Sequence, residues 1–86
     1  LRQYNFNKGF FGANGISLKS GITTPDISEA AVKGIAIEHC SCRYVLADSS
    51  KFDNVSSVTF AGLDRVKFIT DKKVSDAYKS CDIKIV

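Results

Sequence analysis

Tyr44-Val45-Leu46-Ala47, closed by Asp48-Ser49-Ser50, is the stretch that decides the class of fold. A continuous apolar run of this kind with a polar stop is the pattern of a parallel strand covered on both faces. Upstream of it, Thr24-Pro25-Asp26 opens a helix. Thr24 with Pro25 at the first helical position is one start, and Asp26 with Glu29 three residues later is a competing one. Ile27, Ala30, Ala31, Gly34, Ile35 and Ile37 then recur on one broad face, so the helix is predicted to run to about Cys40.

Further upstream, Lys8 to Ala13 is a short apolar run that ends in Gly12-Ala13-Asn14-Gly15 and reads as a buried strand closed by a glycine turn. Ile16 to Thr24, with Gly21 among polar residues, reads as loop. Downstream, Val58-Thr59-Phe60 and Val66-Lys67-Phe68-Ile69-Thr70-Asp71 are two further strands. Val74 to Cys81 is predicted as a short helix with Val74, Ala77, Tyr78 and Cys81 inward, and Ile83 to Val86 as a last strand. Strands that alternate with helices imply right-handed crossovers and parallel pairing. The expected class is α/β, a mostly parallel sheet with flanking helices.

Composition narrows the function. With 86 residues, 44% of them hydrophobic, and one proline and six glycines, the chain is at most one globular unit and not a low-complexity segment. A unit of this size buries only about 60% of its unfolded surface, so its core is thin unless something covers it. A large multi-domain enzyme is excluded. Apolar runs such as Gly34 to Ile37 and Tyr44 to Ala47 fall far short of the roughly 20 residues of a membrane span, and no membrane association is expected. Twelve Lys and Arg against nine Asp and Glu give a net charge of +3, dispersed from Arg2 to Lys84 with Lys72-Lys73 the only adjacent pair. Nucleic-acid modules carry a basic stripe, which this sequence lacks; a small anionic ligand fits the mild balance equally well. Cys40, Cys42 and Cys81 are odd in number and form no bridge framework, which points to a reducing compartment. His39 beside Cys40 and Cys42 lacks the paired C-x-x-C spacing of zinc sites, so no metal or other cofactor is expected. The chain opens on Leu1 without a signal-like segment and contains no Met, and is read as a piece of a longer cytoplasmic protein.

An open parallel sheet binds ligands beyond the carboxyl ends of its strands. If the strands are parallel neighbours, Asn14 and Gly15, Asp48 to Lys51, and Thr70-Asp71 share one rim. Gly12 to Thr24 holds three glycines and leads into a helix N-terminus that favours an anion, so it is either a phosphate cradle or a plain strand-to-helix connection. It matches neither a Walker pattern nor G-x-G-x-x-G. Asp48-Ser49-Ser50-Lys51 offers hydroxyls and an ammonium to a phosphorylated sugar. A lysine about 4 Å from a phosphate charge gains about 4 kcal/mol at an effective dielectric near 20, before desolvation. The other reading has Asp48 and Ser49 capping a turn from Ser50, with Lys51 in solvent. Glu29 either pairs with Lys33 four residues on or accepts hydrogen bonds from sugar hydroxyls. His39 sits at the helix C-terminus, where a cation is favoured and nothing catalytic is implied, and no Ser-His-Asp set can be assembled.

Taken in order, Phe11-Gly12-Ala13-Asn14-Gly15-Ile16, Gly21-Ile22-Thr23-Thr24-Pro25-Asp26, Glu29-Ala30, Val32-Lys33, Val45-Leu46-Ala47-Asp48-Ser49-Ser50-Lys51-Phe52 and Ile69-Thr70-Asp71 closely resemble the effector domain of DeoR-type bacterial transcriptional repressors. The resemblance spans almost the whole chain. It implies a sugar-phosphate sensor with a fold similar to ribose-5-phosphate isomerase and coenzyme A transferases. Residues 1–86 would be the second half of that sensor, without its glycine- and threonine-rich phosphate loop and without the winged helix-turn-helix through which the full-length protein, expected to be a homo-oligomer, binds DNA. The isomerases carry aspartates at the positions of Phe11 and Asn14, a lysine near Lys19 and a glutamate near Glu29. Loop lengths around Lys19 do not match residue for residue. Aldose-ketose isomerisation needs a base that takes a proton from carbon, which neither phenylalanine nor an amide can do. The resemblance therefore implies a binding protein, with Asn14, Gly15, Glu29, Asp48 and Lys51 as ligand contacts; the alternative is an isomerase-like enzyme.

Overall fold

The computed structural model describes residues 6–86. The elements in chain order are β1 (Phe6–Gly12), β2 (Gly15–Ser17), β3 (Gly21–Thr24), α1 (Ile27–Glu38), β4 (Cys40–Leu46), β5 (Val58–Ala61), β6 (Lys67–Thr70) and β7 (Asp82–Ile85), with short 3₁₀ turns at Ser49–Lys51, Leu63–Arg65 and Asp76–Tyr78. A parallel sheet has the order β1-β4-β6-β7, and a smaller antiparallel sheet the order β2-β3-β5. The class is α/β with a parallel sheet and one α-helix among the described residues, as the alternation of elements implies.

Helix α1 starts by the second of the two competing signals. The Asp26 carboxylate accepts hydrogen bonds from the Ser28 and Glu29 amides at 2.8 and 3.1 Å, so Pro25 lies before the cap rather than inside the helix. The helix stops at Glu38, two residues short of the predicted end, because His39 closes it and Cys40 already pairs in β4. Its buried face is narrower than the periodicity suggests. Ala30 and Ile37 are buried, whereas Ile27, in the first turn, is 73% exposed.

Ile16 to Thr24 is not a loop. Strands β2 and β3 pair Gly15 with Thr23, Ile16 with Ile22 and Ser17 with Gly21. The polar residues that disguised them are buried and bonded: Thr23 Oγ1 donates to the Gly15 carbonyl at 3.1 Å and accepts from the Ser56 amide at 2.9 Å, and Ser17 Oγ accepts from the Ser20 amide at 2.9 Å. The turn is completed by Gly21 at φ +76°, where a Cβ would lie 2.6 Å from the Ala61 carbonyl oxygen. Strand β5, expected in the parallel sheet, pairs antiparallel with β3 instead. The helix predicted over Val74 to Cys81 reduces to the Ser75-capped 3₁₀ turn. So short a segment is a marginal helix, and the Tyr78 side chain anchors it with one turn.

The strand order of the parallel sheet follows the chain. Right-handed crossovers then all fall on one face. Ile37 from the first connection, Phe52 from the second and Tyr78 from the third lie in one buried cluster with Val45 and Phe68 of the sheet, and Phe11 and Ile83 are partly buried against it. The Phe52 ring centroid is 5.7 Å from that of Phe68 and 5.0 Å, edge-on, from that of Tyr78. Each such side chain contributes about 1.5–3 kcal/mol by burial. The expectation that Tyr44 to Ala47 is covered on both faces fails for the same topological reason: Val45 is fully buried, while Leu46, pointing the other way, is 46% exposed.

Candidate functional site

Strands β1, β4 and β6 are parallel neighbours, so their carboxyl ends meet at one rim. The Ala47 amide donates to the Ile69 carbonyl at 3.1 Å, and the Ser49 amide to the Asp71 carboxylate at 2.8 Å. Gly15 is buried so tightly that a Cβ there would stand 2.5 Å from the Asn54 carbonyl oxygen and 2.7 Å from Thr23 Oγ1. This close approach fixes the loop after β4 against the turn after β1, and it gives Gly15 a packing reason to be glycine.

Two of the anion-binding features read from the sequence are already filled by the chain's own carboxylates. The amides at the start of α1 are bonded to Asp26. At the 3₁₀ turn Ser49–Lys51, Asp48 accepts from the Ser50 amide at 3.0 Å and from the Ser50 hydroxyl, and Asp71 takes the Ser49 amide. The capping reading of Asp48 is therefore the one realised, with the turn beginning at Ser49. The Ser49 amide, with lesser help from the Asp71 amide, the Ser49 side chain and the Lys72 charge, holds the Asp71 carboxyl below its ordinary value against the opposing effect of burial. Gly12 to Thr24 is likewise a hairpin-bearing connection rather than an open cradle.

Glu29 and Lys33 form the ion pair expected from their spacing, at 2.6 Å. Lys33 does more than pair, which its spacing alone did not reveal. Its ammonium also donates to the Gly12 carbonyl at 2.8 Å and lies 5.2 Å from the centroid of the Phe60 ring. Glu29 is thereby held next to the end of β1 by a lysine that is mostly buried. Asn14 is exposed; its amide donates to the Thr23 carbonyl at 3.1 Å and its side-chain oxygen accepts from the Thr24 hydroxyl at 3.4 Å. Lys51 is half-buried, and among the described residues its ammonium pairs with no carboxylate.

Sequence reasoning also missed the support beneath the rim. The Tyr78 hydroxyl, fully buried, donates to the Asp53 carboxylate at 2.6 Å, lies 3.3 Å from the Ile16 carbonyl oxygen and accepts from the Asp53 amide at 3.2 Å. Asp53 itself adopts φ +70°, a left-handed conformation that aspartate tolerates better than most residues. Burial, and then the Asp53 carboxylate, push the Tyr78 phenol up to about 12. The only forewarning was the inward phase of Tyr78 in a segment read as helix.

The rim thus presents the Asn14 amide and the Lys51 ammonium, while its carboxylates, Glu29, Asp48 and Asp71, are each engaged by the chain's own donors. At the turn after β1 stands Asn14, a neutral amide. No group of three or more His, Cys, Asp or Glu side chains among the described residues could hold a metal ion, and no helix among them is long and apolar enough to cross a membrane. The rim belongs to an α/β fold whose parallel sheet carries its connecting turns at one end. The comparison with known proteins gives the particular family: residues 1–72 match the DeoR C-terminal sensor domain, and the chain belongs to that family. It is 47% identical over 70 residues to the uncharacterized HTH-type transcriptional regulator FruR of Bacillus subtilis, covering 81% of this chain and 28% of that protein. The HTH-type transcriptional regulator IolR of the same organism is 37% identical over 79 residues, 91% of this chain and 32% of IolR. A lactose phosphotransferase system repressor of Staphylococcus epidermidis is 43% identical over 60 residues, 66% of this chain and 23% of the repressor. The chain thus spans about a quarter to a third of the length of the curated relatives it matches.

Proposed function

We propose that residues 1–86 form the second half of the effector sensor of a cytoplasmic DeoR-type regulator of sugar metabolism, and that a phosphorylated sugar bound at the rim alters the operator affinity of the complete, oligomeric protein. The fold it completes would be of the ribose-5-phosphate isomerase and coenzyme A transferase type. DNA is bound by a helix-turn-helix domain outside these residues, and the 86 residues alone supply only part of the pocket. Asn14 and Glu29 bond sugar hydroxyls, Lys51 pairs with the phosphate, Gly15 holds the turn close to the ligand, and Asp48 keeps the loop after β4 in shape. The observation that supports this most is the convergence of the turns after β1, β4 and β6, with Asn14 where an isomerase would keep its base. Regulator and repressor names among the relatives support it from the side of sequence.

Ligand and operator are then coupled reciprocally: whatever factor the sugar phosphate removes from operator affinity, the operator removes from ligand affinity. Driving the population from about 1:99 to about 99:1 takes about 5.5 kcal/mol of differential binding. The test is titration of the full-length protein, bound to operator, with a panel of sugar phosphates at constant salt. At least one member is expected to shift operator affinity, and Lys51→Ala to weaken that shift while leaving the fold intact. Unchanged operator affinity across the panel overturns the reading.

A further inference from the structure

Lysine is seldom buried unless its ammonium is paired, and Lys33, in α1, has a side chain only 18% exposed. Its ammonium carries three donors and no acceptor. It meets Glu29 Oε1 at 2.6 Å, donates to the Gly12 carbonyl at 2.8 Å and lies 5.2 Å from the centroid of the Phe60 ring. These partners come from α1 itself, from the last residue of β1 and from β5. Lys33 is thus engaged with the protein rather than with solvent.

Both of its oxygen partners matter at the rim. Glu29 is 47% exposed and bonded through Oε1, so its carboxylate keeps lone pairs for a hydrogen bond from outside. It has no second ion-pair partner among the described residues, and Asp26, the other carboxylate at the start of α1, is taken up by the Ser28 and Glu29 amides. Without Lys33 the rim would hold an uncompensated negative charge, which repels an anionic ligand. At Gly12 a Cβ would meet nothing within 4 Å, so side chains do not clasp the end of β1 there, whereas the bond from Lys33 does. Two residues further on stands Asn14.

We propose that Lys33 is a positioning residue of the rim: without touching the effector, it balances and aims the Glu29 carboxylate and fixes the turn after β1 that carries Asn14. The proposal rests on reading Glu29 and Asn14 as effector contacts. A plain staple between α1 and the sheet is the other role that these contacts could serve. Such a staple would stabilise the protein everywhere alike and would be indifferent to the charge of Glu29.

Lys33→Met keeps the aliphatic stem and removes the ammonium. Two comparisons in the full-length protein then test the proposal. The first is amide hydrogen exchange without effector or DNA. The Asn14 amide is bonded to the Thr23 carbonyl at 3.1 Å, and its acceleration in the variant is expected to exceed that of the buried Val45 and Phe68 amides by about tenfold. Equal acceleration at all three, or none at Asn14, overturns the proposal. The second comparison is a double-mutant cycle with Glu29→Gln, read as affinity for the member of the sugar-phosphate panel that most strongly shifts operator binding. Lys33→Met is expected to weaken that affinity about thirtyfold in the native background and about threefold beside Glu29→Gln, a coupling of about tenfold. The same loss in both backgrounds makes Lys33 a staple and overturns the proposal. A panel in which no sugar phosphate acts overturns the reading of the effector instead, and the exchange comparison, which uses no ligand, then decides by itself whether Lys33 sets the turn.

Discussion

Two aromatic pairs lie on opposite faces of the parallel sheet at nearly the same separation, Phe52 with Tyr78 at 5.0 Å and Phe10 with Tyr44 at 5.2 Å. Contact geometry hardly distinguishes them, yet their surroundings do. Tyr78 is fully buried and Phe52 nearly so, whereas Phe10 is 61% exposed. The free energy of such a pair comes mainly from the surface it removes from water, with the ring-ring contact adding about 0.5–1.5 kcal/mol. The difference separates a ring pair packed inside the core from one on a solvent-facing surface.

Removing the buried ring should break the comparison most visibly. Tyr78→Ala empties the cluster and is expected to destabilise the 86-residue protein by about 3–5 kcal/mol in urea unfolding, enough to unfold much of the population. Tyr78→Phe keeps the ring and removes only the hydroxyl. Leaving the Asp53 carboxylate without that donor should cost about 1–2 kcal/mol, while the Ile16 carbonyl keeps its bond from the Asp53 amide. The hydroxyl also sets a pH signature. Its value is raised on folding from 10.0 to about 12, so its contribution is complete below pH 10 and disappears as pH rises from 10 to 12. Unfolding midpoints measured across that window should fall for the native sequence, and less steeply for Tyr78→Phe. On the open face, Phe10→Ala should change stability by less than about 1 kcal/mol in the same assay. A cost equal to that of Tyr78→Ala would erase the distinction between the faces.

Strands β1, β4, β6 and β7 and the start of α1 were legible in the sequence because apolar runs and capping residues report local structure directly. The β2–β3 hairpin was not, since Thr23, Thr24 and Ser17 are buried polar residues whose hydroxyls bond back to the chain, and polarity in sequence imitates exposure. Partner choice was equally hidden. Val58-Thr59-Phe60 announces a strand but not that it leaves the main sheet to pair with β3. At the rim, the spacing of Glu29 and Lys33 foretold their ion pair, while the reach of Lys33 to the Gly12 carbonyl depends on how α1 lies on β1, a tertiary fact. The cap role of Asp48 stood as one of two readings, and the Tyr78–Asp53–Ile16 link joins residues too far apart in the chain for any local pattern to show.

That link has a practical corollary for anyone cutting the gene. The match to the sensor family's model ends at residue 72, yet the ring that plugs the core is at 78 and the last strand of the sheet begins at 82. A truncation drawn where that match stops would delete the stopper and leave Phe52 and Phe68 facing water, so a recombinant boundary belongs after β7.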